Sequence, residues 1–182
     1  MKDVVREYPL LSLCGLRCGL CTMHLGGYCP GCGGGDGNQP CAIARCGRDH
    51  GVEFRCRCPS YPCPRFDGLD AYDSFISHRN LRDNLERIRT RGLDACRAEL
   101  EERMALLEWL LANCNAGRQK SPFATAVNLL PLEDLRTIRA RLAADAMDLP
   151  LKERAKTAQA LLRSAANTRG IDLRLRKKPG TE

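Results

Sequence analysis

Ten of the twelve cysteines in this 182-residue chain fall between Cys14 and Cys63. Thiols at that density are placed to hold something: a metal ion, an iron–sulfur cluster, or one another as disulfides. The run is Cys14, Cys18, Cys21, Cys29, Cys32, Cys41, Cys46, Cys56, Cys58 and Cys63. Two pieces of it carry specific chemistry. In Cys29-Pro30-Gly31-Cys32-Gly33, two thiolates flank a tight turn and can address one cation. Proline fixes the first backbone angle, and glycine lets backbone amides approach sulfur. One such knuckle supplies two of the four ligands that zinc takes. In Cys14-Gly-Leu-Arg-Cys18-Gly-Leu-Cys21, three thiolates can wrap one centre. The same spacing carries the cluster of radical S-adenosylmethionine enzymes. Those enzymes need a large α/β barrel, and the rest of this chain has no alternating strand–helix pattern.

Ten thiols divide into two four-ligand sites with two left over, and the close pair Cys56 and Cys58 is where redundancy is expected. Order along the chain does not say which cysteines share a site, because ligand pairs interleave. The plain knuckle places zinc, as two structural ions, ahead of the alternatives. A [4Fe–4S] cluster comes second, favoured by the all-sulfur set, the Cys14/Cys18/Cys21 triple and the Cys63-Pro64 ending. Disulfides come last. The stretch before Cys14 mixes charges and lacks the apolar core of a secretory signal, so the chain reads as cytoplasmic, where thiols stay reduced. Cys96 and Cys114 lie on an apolar helical face and read as small buried hydrophobes. His24 and His50 could replace a thiolate, but ten cysteines make that unnecessary. His78 reads as a cap or surface residue.

These residues must be positioned by elements of two kinds. Residues 1–66 form a cysteine-rich module dense in glycine and proline, which cannot sustain long helices or an ordinary core. It needs a metal staple, with short hairpins presenting the thiols. Residues 67–182 read as about five helices with a basic tail. Leu81, Leu85 and Ile88 mark a short basic helix ending near Gly92. Leu93, Cys96, Leu100, Met104, Leu107, Leu111 and Cys114 mark one face of a long helix. Ser121-Pro122 reads as an N-cap with proline at the first helical position. Pro131 ends that helix, Glu133 to Ala146 holds another, and Leu151, Ala155, Ala158, Leu162 and Ala165 a last one. Ile171, Leu173 and Leu175 alternate with charges as in a short strand, and residues 177–180 read as a loose tail. The predicted fold is therefore mainly α, with a small metal-stapled N-terminal module packed on a helical C-terminal part.

The formal net charge of +7 invites anionic partners. The basic residues are spread along the chain, however, and aromatics are not interleaved with them, which counts against a nucleic-acid binder. No run approaches a membrane helix. Arg118, Lys120 and Ser121, at a predicted helix start, are a candidate anion site, although the glycine spacing is not that of a P-loop. Asp67, Asp70 and Asp73 read as ordinary acids before a helix, and Trp109 as a packing residue. No nucleophile–base pair stands out, so no catalytic role is assigned.

CGLRCGLC at 14–21, CPGCGGG at 29–35, CAIARC at 41–46, CPSYPC at 58–63, YDSFISHR at 72–79, NAGRQKSPFATAVNLLPLEDL at 115–135 and IDLRLRKK at 171–178 together cover nearly the whole chain. In this combination the chain resembles a widespread group of small cysteine-rich bacterial and archaeal proteins, a domain family of unknown function. The resemblance implies that the cysteine region and the helices belong together, and it implies no settled activity. In that family a cysteine often stands at the position of Ala124 and an aromatic at that of Pro122. This chain has neither. The expected function is a cysteine-ligated metal-binding protein that works through an unidentified protein partner. An iron–sulfur redox or sulfur-handling protein is the alternative, and a zinc-ribbon nucleic-acid binder the less favoured third.

Overall fold

The computed structural model describes residues 5–35 and 41–178. The protein is mainly α, with seven helices among these residues: α1 (Thr22–Leu25), α2 (Ala42–Asp49), α3 (Leu81–Arg91), α4 (Leu93–Cys114), α5 (Lys120–Leu129), α6 (Leu132–Asp145) and α7 (Leu151–Thr168). The last five are the five helices expected after residue 66. The expected hairpins are not formed among the described residues. The described residues contain no strand, and the only β pairing among them is an isolated antiparallel bridge between Val5 and Gly34. Single helical turns at Cys18–Leu20, Arg55–Arg57 and Pro64–Phe66 take their place. Glycine and proline recur too often here for an extended ladder, and Cys46 is carried by α2 with Cys41 at its N-cap.

The chain divides into two compact units, one formed by Met1–Leu100 with Leu175–Glu182 and the other by Glu101–Arg174. In the first, Leu13, Leu20, Phe54, Phe66, Leu81 and Leu85 are almost wholly buried. Two buried charges stitch the cysteine-rich backbone together. Arg6 donates to the carbonyls of Leu11 (2.8 Å), Cys32 (3.3 Å) and Glu53 (2.9 Å), and its guanidinium lies over the Phe54 ring. Arg17, inside the Cys14–Cys21 loop, pairs with Glu99 at 2.9 Å. Glu99 also receives Arg87, and Asp70 receives Arg82, so the basic α3 is partly neutralised by acids. This fits a solvated helix rather than a groove-reading one.

In the second unit residues Phe123 to Leu130, along α5 and its C-cap, are buried, with α7 packed against the helix and α4 reaching it through Arg103. On α4 the buried stripe is Leu100, Arg103, Leu106, Leu107, Leu110 and Cys114, while Met104 and Leu111 are half-buried. The face is thus rotated from the expected one, because a charged residue, Arg103, occupies an inward position. Its Nη1 donates to the carbonyls of Val127 (2.6 Å) and Leu130 (2.9 Å), the end of α5. Residues 171–175 form no strand. Arg176 instead exchanges backbone hydrogen bonds with Asp73: the Asp73 amide donates to the Arg176 carbonyl, and the Arg176 amide donates to the Asp73 carboxylate. Of the expected loose tail at 177–180, residues 179 and 180 lie outside the described residues.

Candidate functional site

Six of the ten clustered cysteines bear on one another. Cys18 is desolvated and feels the thiols of Cys32, Cys14, Cys21 and Cys29. Cys14 feels Cys32 and Cys41, and Cys21 feels Cys29. Burial pushes the Cys14 thiol up to about 11; the neighbouring thiols add to this, while hydrogen bonds from Ser12 and the Leu16 backbone oppose it. Cys18 is driven well above the ordinary thiol value, chiefly by burial and then by its four sulfur neighbours. Cys21 is raised by burial as well.

Local backbone chemistry brings these sulfurs together. The Ser12 hydroxyl accepts from the Leu16 amide at 2.7 Å and lies 3.1 Å from Cys14 Sγ, so one serine closes the turn that presents the first thiol. At the Cys29–Cys32 knuckle the Cys32 amide donates to the Pro9 carbonyl at 2.8 Å. Gly31 holds φ at 101°, and a Cβ there would stand 2.6 Å from that same carbonyl oxygen. The knuckle glycine is therefore required by approach as well as by angle. The His24 ring donates from Nδ1 to the Cys29 carbonyl at 2.9 Å, which places it behind the knuckle.

Cys46, Cys58 and Cys63 face a different centre, the guanidinium of Arg55. Arg55 Nη1 donates to Cys46 Sγ and Cys58 Sγ, each at 3.4 Å, and Nη2 donates to Cys63 Sγ at short range. This bond from Arg55 draws the Cys63 thiol below its ordinary value, with Arg65 contributing. The expected redundancy at Cys56 and Cys58 resolves into two environments. Cys58 joins Arg55, whereas Cys56 feels Arg57, Glu86 and Arg89. Cys114 is buried and Cys96 half-buried, as small core residues.

Cysteines in the described structure are all free thiols. As they are placed, no three His, Cys, Asp or Glu side chains among the described residues are grouped as a metal site. The donor chemistry nevertheless suits a thiophilic cation, since the groups around Cys14, Cys18 and Cys21 are all sulfur and the knuckle turn is formed.

Arg118, Lys120 and Ser121 are exposed at the start of α5, which begins at Lys120 with Gln119 as its N-cap. Ser121 is therefore not the cap, and Pro122 is the third helical residue. Asn115 Oδ1 accepts from the amides of Gly117 (3.0 Å) and Gln119 (3.3 Å), and Gln119 Oε1 accepts from Arg118 (3.1 Å). The loop amides of Gly117, Arg118 and Gln119, just before the helix, are taken by these side chains.

Arg55 and Arg6 were not legible as site residues. Arg55 has one sequence signal, its place beside Cys56 where a long cation has no helical face to occupy, and Arg6 has none. The chain matches no protein-family model, no curated protein and no solved structure. No helix is long and apolar enough to cross a membrane among the described residues.

Proposed function

We propose that the protein is a cysteine-ligated metal-binding protein, with zinc ahead of a [4Fe–4S] cluster. Its ligands come from Cys14, Cys18, Cys21, Cys29, Cys32 and Cys41. The observation that carries this reading is the desolvated Cys18 thiol, with four other thiols bearing on it. Half-buried cysteines crowded around Cys18, whose ionisation they disfavour, form an arrangement that a divalent cation would stabilise, because its charge inverts the local preference and the thiols bind as thiolates. Four of the six suffice for one tetrahedral zinc, and all six suffice for two ions sharing two sulfurs. The bound cation would fasten a module that has no strand ladder among the described residues and a small core, so that metal binding and folding are one event. The module would then present a fixed surface to an unidentified protein partner.

The test is metal analysis of protein purified without oxygen, with its visible spectrum. Zinc at one to two equivalents and no colour is the expected result, and Cys18→Ser should lose a bound ion. Iron with matching acid-labile sulfide would replace zinc by the cluster. A chain with no bound metal, whose Cys18→Ser variant melts like the parent, would remove the reading.

A further inference from the structure

The second group of cysteines is organised by an internal cation. Arg55 is 2% exposed, and its guanidinium hydrogen-bonds three sulfurs, from α2 (Cys46), from the turn it belongs to (Cys58) and from the following loop (Cys63). Its position is fixed at the backbone: the Arg55 amide donates to the Leu13 carbonyl at 3.0 Å, and its carbonyl accepts from the Cys58 amide at 3.0 Å. Arginine does not lose its proton in proteins. A buried guanidinium surrounded by neutral thiols would be an uncompensated charge, which costs several kcal/mol. An ionised sulfur among the three would offset that cost. Cys63 makes the shortest contact, on its own nitrogen, while Cys46 and Cys58 share the other.

The group is open to solvent. Cys63 and Cys46 are half-exposed. Cys46 also lines a surface hollow of about 270 Å³ together with Arg45, Asp49, His50 and Arg65. The His50 ring does not act as base from Nδ1, because that nitrogen donates to the Cys46 carbonyl at 2.8 Å.

We propose that Cys63, held by Arg55 beside Cys46 and Cys58, is a peroxide-reactive thiolate that closes to a disulfide. The Cys63 sulfur attacks the distal oxygen of a hydroperoxide; the S–O bond forms, the O–O bond breaks, and the alkoxide or hydroxide leaving group takes a proton from water. The sulfur of Cys46 or Cys58 then attacks the sulfenic sulfur. The S–S bond forms, hydroxide leaves, and it combines with the proton given up by the attacking thiol. Two thiols and one hydroperoxide thus become one disulfide, one alcohol and one water, with the hydroperoxide as the two-electron oxidant. Either sulfur is a candidate to resolve it, since both bond Nη1 of the guanidinium whose Nη2 holds Cys63.

The full chain, carrying whatever metal it is purified with, is treated with one equivalent of hydrogen peroxide, quenched with an alkylating reagent and mapped by peptide mass spectrometry. Cys63 should be the first cysteine lost, recovered in a disulfide to Cys46 or Cys58. Cys63→Ser should abolish that disulfide and leave the metal content unchanged. Arg55→Met should slow the loss of Cys63 about tenfold. If Arg55→Met does not fold, the parent map and the Cys63→Ser variant still decide. Oxidation that falls first on the Cys14–Cys41 group overturns the proposal. So does loss of a bound ion in Cys63→Ser, which would make the trio a metal site. The proposed metal reading is judged separately, by the ion lost in Cys18→Ser.

Discussion

Arg6, Arg17, Arg55 and Arg103 are buried, and their acceptors differ: carbonyls for Arg103, carbonyls with the Glu53 carboxylate for Arg6, the Glu99 carboxylate for Arg17, sulfur for Arg55. Arg103 gives the sharpest test of what such a residue contributes. It reaches from α4 to the carbonyls of Val127 and Leu130, and it is 3% exposed. Arg103→Met keeps most of the aliphatic volume but removes both donors. The two carbonyls would then be buried without partners, at about 1–3 kcal/mol each. The lost desolvation cost of the guanidinium offsets part of that. We expect a net destabilisation of about 2 kcal/mol in a urea melt with the slope unchanged. An unshifted midpoint would mean that water reaches these carbonyls. Arg103 was visible in the sequence only as a charge three residues after Leu100 and three before Leu106, an inward slot that polarity argued against. Periodicity alone marks the slot; it does not reveal that a helix end is waiting there for a donor.

At the level of elements, α3 is pressed onto the first cysteine loop through Gly15. Gly15 holds φ at 94°, and a Cβ on it would stand 2.3 Å from the Leu81 carbonyl oxygen in the first turn of α3. Asn84, also on α3, donates to the Gly15 carbonyl at 2.8 Å. Gly15→Ala would therefore strain the backbone and push α3 away from the loop carrying Cys14 and Cys18. Destabilisation of about 2–4 kcal/mol is expected, from backbone strain and the lost buried hydrogen bond together. Metal content should fall with it if those thiols are ligands. Gly51→Ala is a useful control, because it also has positive φ (62°) but nothing within 4 Å of a Cβ. Equal effects at the two positions would leave φ alone as the cause and remove the α3 contact from the account. The sequence made the helices after residue 66 readable because their stops are strong: Gly92, Pro131 and Gly170 each follow or end an apolar period. The cysteine module was readable as a chemistry but not as a shape. Its turns are set by single contacts such as Ser12 to Leu16 and Cys32 to Pro9, which leave no periodic trace. The alternation at 171–175 misled for the same reason, since its neighbour Arg176 bonds to a lone carboxylate and not to a strand.

Across the whole molecule, the chain leaves its first compact unit within α4 and returns to it at Leu175. Asp73 fastens that return. Its side chain is fully buried and pairs with Arg176 at 2.9 Å and Arg79 at 3.6 Å. It also accepts from the Arg176 amide, the His78 amide and the Ser77 hydroxyl. Burial pushes the Asp73 carboxyl up, but the hydrogen bonds from the Arg176 side chain and from the Arg176 and His78 backbone outweigh it. They hold the group well below its ordinary 3.8. A carboxylate whose folded value is depressed contributes stability that is complete above its unfolded value and is lost as the pH falls through the folded one. Asp73→Asn removes the charge while keeping the size. The parent should therefore be clearly more stable than Asp73→Asn at pH 7. The gap should begin to close near pH 4 and keep closing toward the folded-state value, because a protonated Asp73 binds Arg176 little better than an asparagine does. The check is a pair of denaturant melts at each pH, with hydrogen exchange at the Asp73 and Arg176 amides reporting release of the tail. A gap that stays constant down to pH 2 would mean that the carboxylate's charge is not what pins residues 175–178, and that their docking depends on the backbone bonds alone.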